Sequence, residues 1–554
     1  MAEFMQFSIS RLKGLLCGLG VVCCWTMAIP ASLAAEKITI QLGPFQQTVE
    51  ISDLEDFARS GKLPQDLQVF SSFLTPQVRG LLNQKFQVNP DGGDKFIDEL
   101  AKTPQGKQLI SSLGGIIPGS TSQSLKDTLS LTLRRVNGLS VLGFLRSYPG
   151  ENITVDATKA VSFSLDFNPA NLQSQAFGAL LERELIAKSD VVLPKNINPA
   201  FAGNQAVQFV SLTLRDSRRN RTIPVDIYAG SAPTQKQTQQ QIKQPLVVIS
   251  HGFGANRQFL RYLALHLASH GITVAAIEHP GSNAIAVNHA ANNSDLAKLL
   301  PANEFIDRPQ DVSFLLDELT KLNSQPGQLQ GKLNSENVTI IGHSLGGYTA
   351  LALVGGKLDL GALRKFCSNS LGIGEAPGDW LQCAATGLKD GNFDLRDKRV
   401  RSAIALNPLI GNLFGKNGLS QINTPVLMLA GTDDALTPAL KHQFTPFTQL
   451  RGSNSKYLLT AIGGTHLSIS DPMYQVSEVT KIAKEKRGAE TKNLREMLCG
   501  LSLAFIKKQT NEAKIYQPFL SSTYAQSIST TELPLRLVSD LPSNLKKWAE
   551  YAAK

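Results

Sequence analysis

Val338-Thr-Ile-Ile-Gly-His-Ser-Leu-Gly-Gly347 is the stretch that decides the fold of this 554-residue chain. Its first four residues are β-branched, as in a buried strand, and a G-x-S-x-G pentapeptide follows them. The small residues at both ends of the pentapeptide allow a sharp turn from strand to helix, which would expose the Ser344 hydroxyl. Because the helix-forming run Tyr348-Thr-Ala-Leu-Ala-Leu-Val354 comes next, the sequence predicts a strand, a tight turn and a helix, with Ser344 as a nucleophile at the turn.

Strand-like and helical segments alternate on both sides of this stretch. A predicted hairpin comes first, and the strands and helices then follow one another. Such alternation indicates the α/β class, with a doubly wound, mostly parallel sheet whose functional residues lie at the carboxyl ends of the strands. The predicted strands are 207–214, 224–228, 246–250, 272–278, 338–341, 400–406, 426–430 and 456–461, and the predicted helices are 257–270, 305–322, 345–354 and 438–450.

The remaining segments differ in character from this α/β region. Arg11 and Lys13 precede an apolar run from Leu15 to Ile29, and Pro30-Ala-Ser-Leu-Ala34 follows with small residues at the positions that a signal peptidase recognises, which predicts a signal peptide cleaved after Ala34. The alternative is an uncleaved membrane anchor, for which the run is short. We expect a signal peptide at 1–34, a small mainly helical domain at 36–150, a connector at 151–204, a catalytic domain at 205–510 with a cap-like insertion at 356–399, and a C-terminal packing segment at 511–554.

Export determines how the cysteines and the charge are interpreted. Cys367, Cys383 and Cys499 would remain in the mature protein, and an oxidising compartment, periplasmic or extracellular, permits one disulfide. We expect Cys367 to pair with Cys383 in the insertion, with three free buried thiols as the alternative. The insertion is then either a cap over the substrate pocket or a peripheral subdomain held by this bond.

The net charge of +10 comes from scattered basic residues. Because they form no long run, nucleic-acid binding is not expected. A solvated basic surface accounts for the charge, with peripheral contact with an anionic membrane or envelope surface as the alternative.

Several segments carry a family resemblance, and they are 250–256 (SHGFGAN), 267–281 (LASHGITVAAIEHPG), 308–317 (RPQDVSFLLD) and 342–347 (GHSLGG). In this order they resemble the platelet-activating-factor acetylhydrolase and dienelactone-hydrolase-like branch of the α/β-hydrolases, over about residues 205–510. The resemblance implies the α/β-hydrolase fold and a serine nucleophile, and it implies no particular substrate. Residues 139–149 (LSVLGFLRSYP) resemble part of a helical domain of unknown function that precedes such hydrolases in cyanobacteria.

A serine nucleophile needs a histidine base, and α/β-hydrolases carry their triad in the order serine, acid, histidine. Of the eight histidines, only His442 and His466 follow Ser344. His442 falls in the middle of a predicted helix, where a solvated position is expected. His466 follows the last predicted strand in a glycine-rich loop, so we predict that His466 is the base.

The acid is predicted to be Asp434. From Gly431 to Pro438 the sequence has the G-x-x-D-x-x-x-P form common at this strand end in α/β-hydrolases. Asp433 is the alternative, and it could also simply form the turn. Some relatives place the acid one strand earlier, where this chain has Asn407, which cannot supply the charge.

The oxyanion of the reaction should be bound by backbone N–H groups of Leu345 and Phe253. Together these residues predict an exported serine hydrolase of carboxylic esters, including lipid esters such as short-acyl phospholipids, that needs no cofactor and no metal. The alternatives are an acyltransferase with the same triad and a cell-envelope binding protein with a vestigial hydrolase domain. The acyl chain, the head group and the oligomeric state are not specified by the sequence.

Overall fold

A computed structural model gives the structure of the chain. It describes residues 35–552 apart from 43–44, 71–73, 75, 84, 86–96, 99–100, 103, 137–138, 157–158, 161–168, 188–190, 232–243, 291–298, 370–374, 392, 452–454 and 477–484. The predicted signal peptide at 1–34 therefore lies outside the described residues. The chain forms two compact units, one within Met1–Lys85 and Leu109–Phe163 and the other within Phe86–Gln108 and Ser164–Lys554.

The first unit combines helices with a three-stranded sheet of order β2-β1-β3. Its strands are Lys37–Leu42 (β1), Phe45–Glu50 (β2) and Asn152–Asp156 (β3). β1 pairs antiparallel with β2 and parallel with β3, so the start of the unit is joined to a segment far along the chain. The helices before β3 are Ile51–Ser60 (α1), Pro76–Asn83 (α2), Pro104–Ile116 (α3), Ser122–Val136 (α4) and Val141–Ser147 (α5).

The second unit is built on a nine-stranded sheet of order β12-β11-β10-β9-β8-β6-β7-β5-β4. The pairs β4–β5, β5–β7 and β11–β12 are antiparallel, and the other pairs are parallel. The predicted α/β fold with a mostly parallel sheet is therefore confirmed. The strands are Val207–Asp216 (β4), Arg221–Gly230 (β5), Leu246–Ser250 (β6), Val274–Ile277 (β7), Val338–His343 (β8), Val400–Leu406 (β9), Val426–Gly431 (β10), Lys456–Ala461 (β11) and Leu535–Val538 (β12).

Helices pack around this sheet, and every residue of the one that follows the nucleophile turn, α10, is buried. Among the described residues, no helix has both the length and the apolarity needed to cross a membrane. The helices are Pro169–Glu184 (α6), Arg261–Ser269 (α7), Ala284–Ala290 (α8), Glu304–Ser324 (α9), Leu345–Leu353 (α10), Leu360–Asn369 (α11), Pro377–Gln382 (α12), Thr445–Gln449 (α13), Lys492–Lys507 (α14), Ala513–Tyr516 (α15), Ser522–Ile528 (α16) and Ser543–Ala552 (α17).

The C-terminal segment supplies a strand that the sequence analysis did not predict. β12 pairs antiparallel with β11, with Leu537 opposite Leu459. Arg536 of β12 also donates two hydrogen bonds, of 2.8 and 3.0 Å, to the carbonyl oxygen of Glu182 at the end of α6. The segment after residue 511 therefore extends the sheet and holds α6.

Strand register brings the ends of the central strands together. Ser250 at the end of β6 pairs with Gly342, and the next residue of β8, His343, pairs with Leu406 at the end of β9. Gly431 at the end of β10 pairs with Ala461 at the end of β11. Because these strands are parallel, the loops that follow them lie along one edge of the sheet.

Candidate active site

Ser344 lies in a strained turn between β8 and α10. Its backbone has φ 55° and ψ −117°, an unfavourable conformation for a residue with a side chain. The turn is tight enough that a Cβ atom on Gly342 would lie 1.9 Å from the Gly346 carbonyl oxygen, and one on Gly346 would lie 2.1 Å from that of Ser250. Both glycines are therefore required, and together they place the Ser344 side chain in the wall of a cleft.

His466 lines the same cleft and is hydrogen-bonded to Asp434. The distance from His466 Nδ1 to Asp434 Oδ2 is 2.7 Å. Burial alone would lower the pKa of His466, but the charge and hydrogen bond of Asp434 raise it above its usual value, with a further contribution from Glu485. No hydrogen bond from Ser344 Oγ to His466 is found among the described residues, and such bonds often form only when substrate is bound.

Asp434 is fully buried and is surrounded by hydrogen-bond donors. Its Oδ1 accepts from the backbone N–H groups of Leu436 at 2.9 Å and Thr437 at 2.7 Å. Its Oδ2 also accepts from the Thr437 hydroxyl and from Asn407 Nδ2, both at 2.8 Å. Burial would raise the pKa of Asp434, but the charge of His466 and these hydrogen bonds hold it below its usual value. The carboxylate is therefore kept ionised and fixed in direction.

Two supports of Asp434 were not identified as such from the sequence. Asn407 stands where some relatives place the acid, and its amide donates to the Asp434 carboxylate. Its φ of 44° belongs to the left-handed region, where asparagine is one of the more tolerated residues. The Thr437 hydroxyl, three residues after Asp434, lies 3.2 Å from His466 Nδ1. The Asp-x-x-Thr spacing was the sequence signal for this contact.

The two alternative residues have other partners. Asp433 accepts from Gln175 Nε2 on α6, and its Oδ2 lies 4.0 Å from Lys486 Nζ. His442 is fully buried, so the expected solvated position is wrong. Its Nδ1 accepts from the Gly411 N–H at 2.9 Å and its Nε2 lies 3.2 Å from Asp379. The structure therefore places Asp434, rather than Asp433, against His466, and gives His442 a role in joining loops.

The loop after β6 lies against the nucleophile turn. A Cβ atom on Gly252 would lie 3.1 Å from Ser344 Cβ, which shows how closely the two backbones approach. The Gly254 N–H is occupied, because it donates to the Ser282 carbonyl oxygen at 2.9 Å. Within the described part of the chain, no backbone acceptor is found for the N–H groups of Phe253 or Leu345. Phe253 also lines the cleft, and Leu345 directly follows Ser344 in the nucleophile turn.

A buried arginine is hydrogen-bonded to this loop. Arg308 on α9 is fully buried, and it donates to the His251 carbonyl oxygen and, at 2.7 Å, to the Ser282 hydroxyl. Burial lowers the pKa of Arg308 to about 10, so it stays charged at neutral pH. Burial and the Arg308 charge also keep the pKa of His251 well below its usual value, so His251 is neutral.

The cleft is apolar apart from the residues already described. Its free volume, counted out to open solvent, is about 770 Å³. Pro377, Gly378 and Leu381 of the insertion form part of its wall, and Leu299 and Tyr474 lie elsewhere around it. Among the residues with described positions, no group of three or more His, Cys, Asp and Glu side chains could hold a metal ion. The cleft is therefore suited to an apolar group placed beside Ser344.

The insertion contacts the cleft and contains a disulfide. Cys367 and Cys383 are bonded, with their Cα atoms 5.8 Å apart, and Cys499 is a free buried thiol. The Gly378 N–H donates to the Leu436 carbonyl oxygen at 2.8 Å, two residues from Asp434. The insertion therefore has features of both expected arrangements, since it lines the pocket and is held by a disulfide.

Two family models match parts of the chain. Residues 34–156 match the family described as alpha/beta hydrolase of unknown function (DUF1400), and residues 213–298 match platelet-activating factor acetylhydrolase, isoform II. The sheet, the nucleophile turn and these matches show that the chain is an α/β-hydrolase. Within that superfamily, residues 213–298 resemble the platelet-activating factor acetylhydrolase branch.

Curated relatives share only part of their length with this chain. The platelet-activating factor acetylhydrolase of Cavia porcellus is 34% identical over 136 residues, that of Canis lupus familiaris 31% over 139, and that of Bos taurus 27% over 143. Each match covers 20% of this chain and 31% of the relative. The similarity supports the branch of the superfamily, and the activity of the whole protein is a separate proposal.

Proposed function

We propose that the protein is a serine hydrolase of carboxylic esters, with Ser344 as nucleophile, His466 as base and Asp434 as acid. The observation that carries this proposal is the shared cleft of Ser344 and His466, with His466 Nδ1 bonded to the buried Asp434 at 2.7 Å. A strained turn, a histidine with a raised pKa and a fixed ionised carboxylate are the parts that activate a serine hydroxyl.

The proposed reaction proceeds through an acyl-enzyme. Ser344 Oγ attacks the ester carbonyl carbon while His466 Nε2 takes the hydroxyl proton. The tetrahedral intermediate collapses, the C–O bond to the alcohol breaks, and His466 returns the proton to the departing alcohol. Water then attacks the acyl-enzyme and gives a proton to His466. The C–O bond to Ser344 Oγ breaks, His466 returns the proton to Oγ, and the acid leaves. Asp434 stabilises His466 while it is charged.

The oxyanion is proposed to accept hydrogen bonds from the N–H groups of Phe253 and Leu345. Two observations support these donors: neither has a backbone acceptor among the described residues, and the neighbouring Gly254 N–H is already occupied. Each such donor typically contributes about 3 kcal/mol to the stability of the transition state.

The substrate is proposed to be an ester with an apolar acyl group, such as a lipid ester. The apolar wall of the cleft supports this, and the relatives named platelet-activating factor acetylhydrolase are consistent with it. Leu381→Ala should widen the cleft, so the preferred p-nitrophenyl ester should have a longer acyl chain. Leu358→Ala, a half-buried residue of the same insertion that does not line the cleft, is the control. Identical chain-length profiles for both variants and the wild type would contradict this assignment of the acyl pocket.

The activity is tested with p-nitrophenyl esters and a fluorophosphonate probe. The wild type should hydrolyse the esters and be labelled at Ser344, while Ser344→Ala should lose both properties. Ser324→Ala, an exposed serine at the end of α9, is the matched control and should behave as wild type. Full activity in Ser344→Ala would sink the proposal, and alkyl esters formed in the presence of added alcohol would identify acyl transfer instead.

Export is proposed from residues 1–34. The disulfide between Cys367 and Cys383 suits an oxidising compartment. Intact-mass analysis of the protein recovered from the periplasm or medium of a bacterial host should give Ala35 as the first residue. Recovery of the chain only inside the cell with residues 1–34 attached would contradict this proposal.

A further inference from the structure

The peptide unit that joins His466 to Leu467 is held at both of its polar ends by side chains. Its carbonyl oxygen accepts a 3.0 Å hydrogen bond from His343 Nε2, and its N–H donates a 2.8 Å hydrogen bond to Glu485 Oε2. The two side chains come from different parts of the fold, the end of β8 and the loop before α14. The backbone that carries the proposed base is therefore fixed from two sides.

His343 is well suited to hold its end of this peptide. Because a carbonyl oxygen can only accept, Nε2 of His343 carries the proton and Nδ1 does not. Burial and the charge of His466 keep the pKa of His343 well below its usual value, so the ring stays neutral. The ring is stacked on Phe259, with centroids 4.5 Å apart, and its centroid lies 4.6 Å from that of His466.

Glu485 belongs to a short segment, residues 485–487, that makes hydrogen bonds to several residues of the base loop, residues 463–470, which carries His466. We call residues 485–487 the strap. Besides the bond to Leu467, Lys486 of the strap donates from Nζ to the Gly463 carbonyl oxygen at 2.8 Å and from its N–H to Thr465 Oγ1 at 3.1 Å. The Lys486 carbonyl oxygen accepts from Ser468 Oγ at 3.1 Å. Arg487 Nε donates to Ser470 Oγ at 2.9 Å. The strap therefore holds the base loop along its length, in addition to the turns of the loop itself and its hydrogen bonds to Thr432 and Asp433.

Glu485 also acts on His466 through its charge. Burial raises the pKa of Glu485 to about 7, although the positive charge of His466 and hydrogen bonds from Thr465 and Leu467 oppose the rise. In return, the ionised Glu485 helps to raise the pKa of His466. The titratable and charged groups around this pair are Asp434 and His343 beside His466, and Lys486 and Arg487 beside Glu485.

We propose that Glu485 and His343 are positioning residues of the hydrolase, holding the His466–Leu467 peptide so that the imidazole faces Ser344, and that the Glu485 carboxylate stabilises the protonated imidazole. This inference rests on the proposed function. Glu485 does not line the cleft, and both residues act on the reaction through His466. A second carboxylate on the base, supplied by a loop outside the sheet, distinguishes this site from one in which Asp434 acts alone.

Glu485→Gln separates the charge from the hydrogen bond, because the amide oxygen can still accept from the Leu467 N–H. The acid limb of the kcat/KM profile reports the pKa of the base in the free enzyme. Removing a negative charge near His466 lowers that pKa. Because the pKa of Glu485 is itself about 7, its carboxyl group is only partly ionised on the acid limb, so the limb should move to lower pH by roughly half a unit. Glu485→Ala also removes the acceptor, and its kcat should fall roughly tenfold as the loop loses its fixed position.

Glu490→Gln is the matched control for Glu485→Gln. It makes the same charge change at an exposed residue five positions along the chain, and its pH profile should superpose on that of the wild type. His343→Phe keeps an aromatic ring against Phe259 and removes the donor, so its kcat should fall while KM changes less than threefold. Because His343 and Glu485 hold one peptide, the double variant His343→Phe/Glu485→Ala should lose less than the product of the single effects.

The outcomes separate this inference from the proposed function. If the wild type neither hydrolyses esters nor reacts with the fluorophosphonate probe, the proposed function fails, and this inference fails with it. If the wild type is active and the Glu485→Gln profile superposes on those of the wild type and Glu490→Gln, the inference alone is overturned. Glu485→Gln preserves the shape of the side chain, so its thermal unfolding should match the wild type and the comparison does not depend on a damaged fold.

Discussion

Asp434→Asn is the sharpest test of the proposed triad, because the structure dictates how the new amide must lie. Oδ1 of Asp434 accepts from the backbone N–H groups of Leu436 at 2.9 Å and Thr437 at 2.7 Å, which are fixed. Oδ2 accepts from the Asn407 amide and the Thr437 hydroxyl, which can rotate, so the carbonyl oxygen of the new asparagine should stay at the Oδ1 position. The NH₂ group then takes the Oδ2 position, which lies 2.7 Å from His466 Nδ1 in the wild type. Nδ1 must accept, and the proton moves to Nε2, where the Ser344 proton should go.

The expected loss has two parts. Opposite charges about 4 Å apart attract by about 4 kcal/mol at the effective dielectric constant of about 20 that suits protein sites, which corresponds to a factor of about 10³ in rate. The wrong tautomer of His466 adds to this, and we expect kcat to fall about 10³- to 10⁴-fold. Asp434 does not line the cleft, so KM should stay within about threefold of the wild-type value.

The measurements are kcat for p-nitrophenyl ester hydrolysis and the rate of fluorophosphonate labelling, with circular dichroism as the check on folding. Asp433→Asn is the matched control, because it removes the same charge one residue away and its carboxylate is bonded to Gln175 on α6. We expect it to change kcat less than threefold. Retention of more than a tenth of kcat by Asp434→Asn, or an equal loss in Asp433→Asn, would refute the assignment of the acid.

Two further predictions concern stability. The pKa values of buried His251, His279 and His343 are well below the usual value, and burial lowers that of His266 to about 4, so these four groups take up protons on unfolding below pH 6.5. Burial raises the pKa values of Glu375 and Glu485 to about 7, so these two groups release protons on unfolding in the same range. With a net uptake of about two protons, the free energy of unfolding from urea titrations should fall by about 3 kcal/mol per pH unit as the pH falls below 6.5, and a flat profile from pH 6.5 to 5 would contradict this. Gly346→Ala should destabilise the protein by about 3 kcal/mol or more, because its Cβ would lie 2.1 Å from a backbone oxygen. Gly327→Ala is the control, since no atom lies within 4 Å of its Cβ, and its urea midpoint should be unchanged. Equal midpoints for the two variants would show that the turn can relax.

The central strands and the nucleophile turn could be predicted from the sequence because their signals are local. Leu246–Ser250, Val400–Leu406 and Lys456–Ala461 have the bounds that the apolar runs predicted, since strands buried on both faces are marked by continuous apolar residues. Leu535–Val538 was missed because a four-residue strand carries little pattern of its own. Its partner, β11, lies more than 70 residues earlier in the chain, so the pairing depends on tertiary contact.

His442 shows where local pattern misleads. The sequence predicted one helix from 438 to 450, in which His442 would face solvent. The chain instead forms a wider π-helical turn at Leu440–Phe444, and this turn places the imidazole among Gly411, Asp379 and neighbouring groups. The partners come from the insertion and from the loop after β9, so no spacing within the helix indicates them. A buried polar side chain of this kind is defined by what surrounds it after folding.

The direction of His466 also depends on residues outside its own loop. The glycine-rich sequence of this loop predicted only that a histidine could follow β11, because glycines leave the direction of His466 open. Asp434 holds the ring of His466, and in the proposed arrangement His343 and the strap, which lie 123 and 19 residues from His466, hold the peptide that carries it. A mobile loop would direct the imidazole toward Ser344 only part of the time, whereas a peptide held at both ends restricts the directions that the imidazole can take before substrate arrives. The variants Glu485→Gln and His343→Phe therefore test the part of the site that a motif search leaves undetermined.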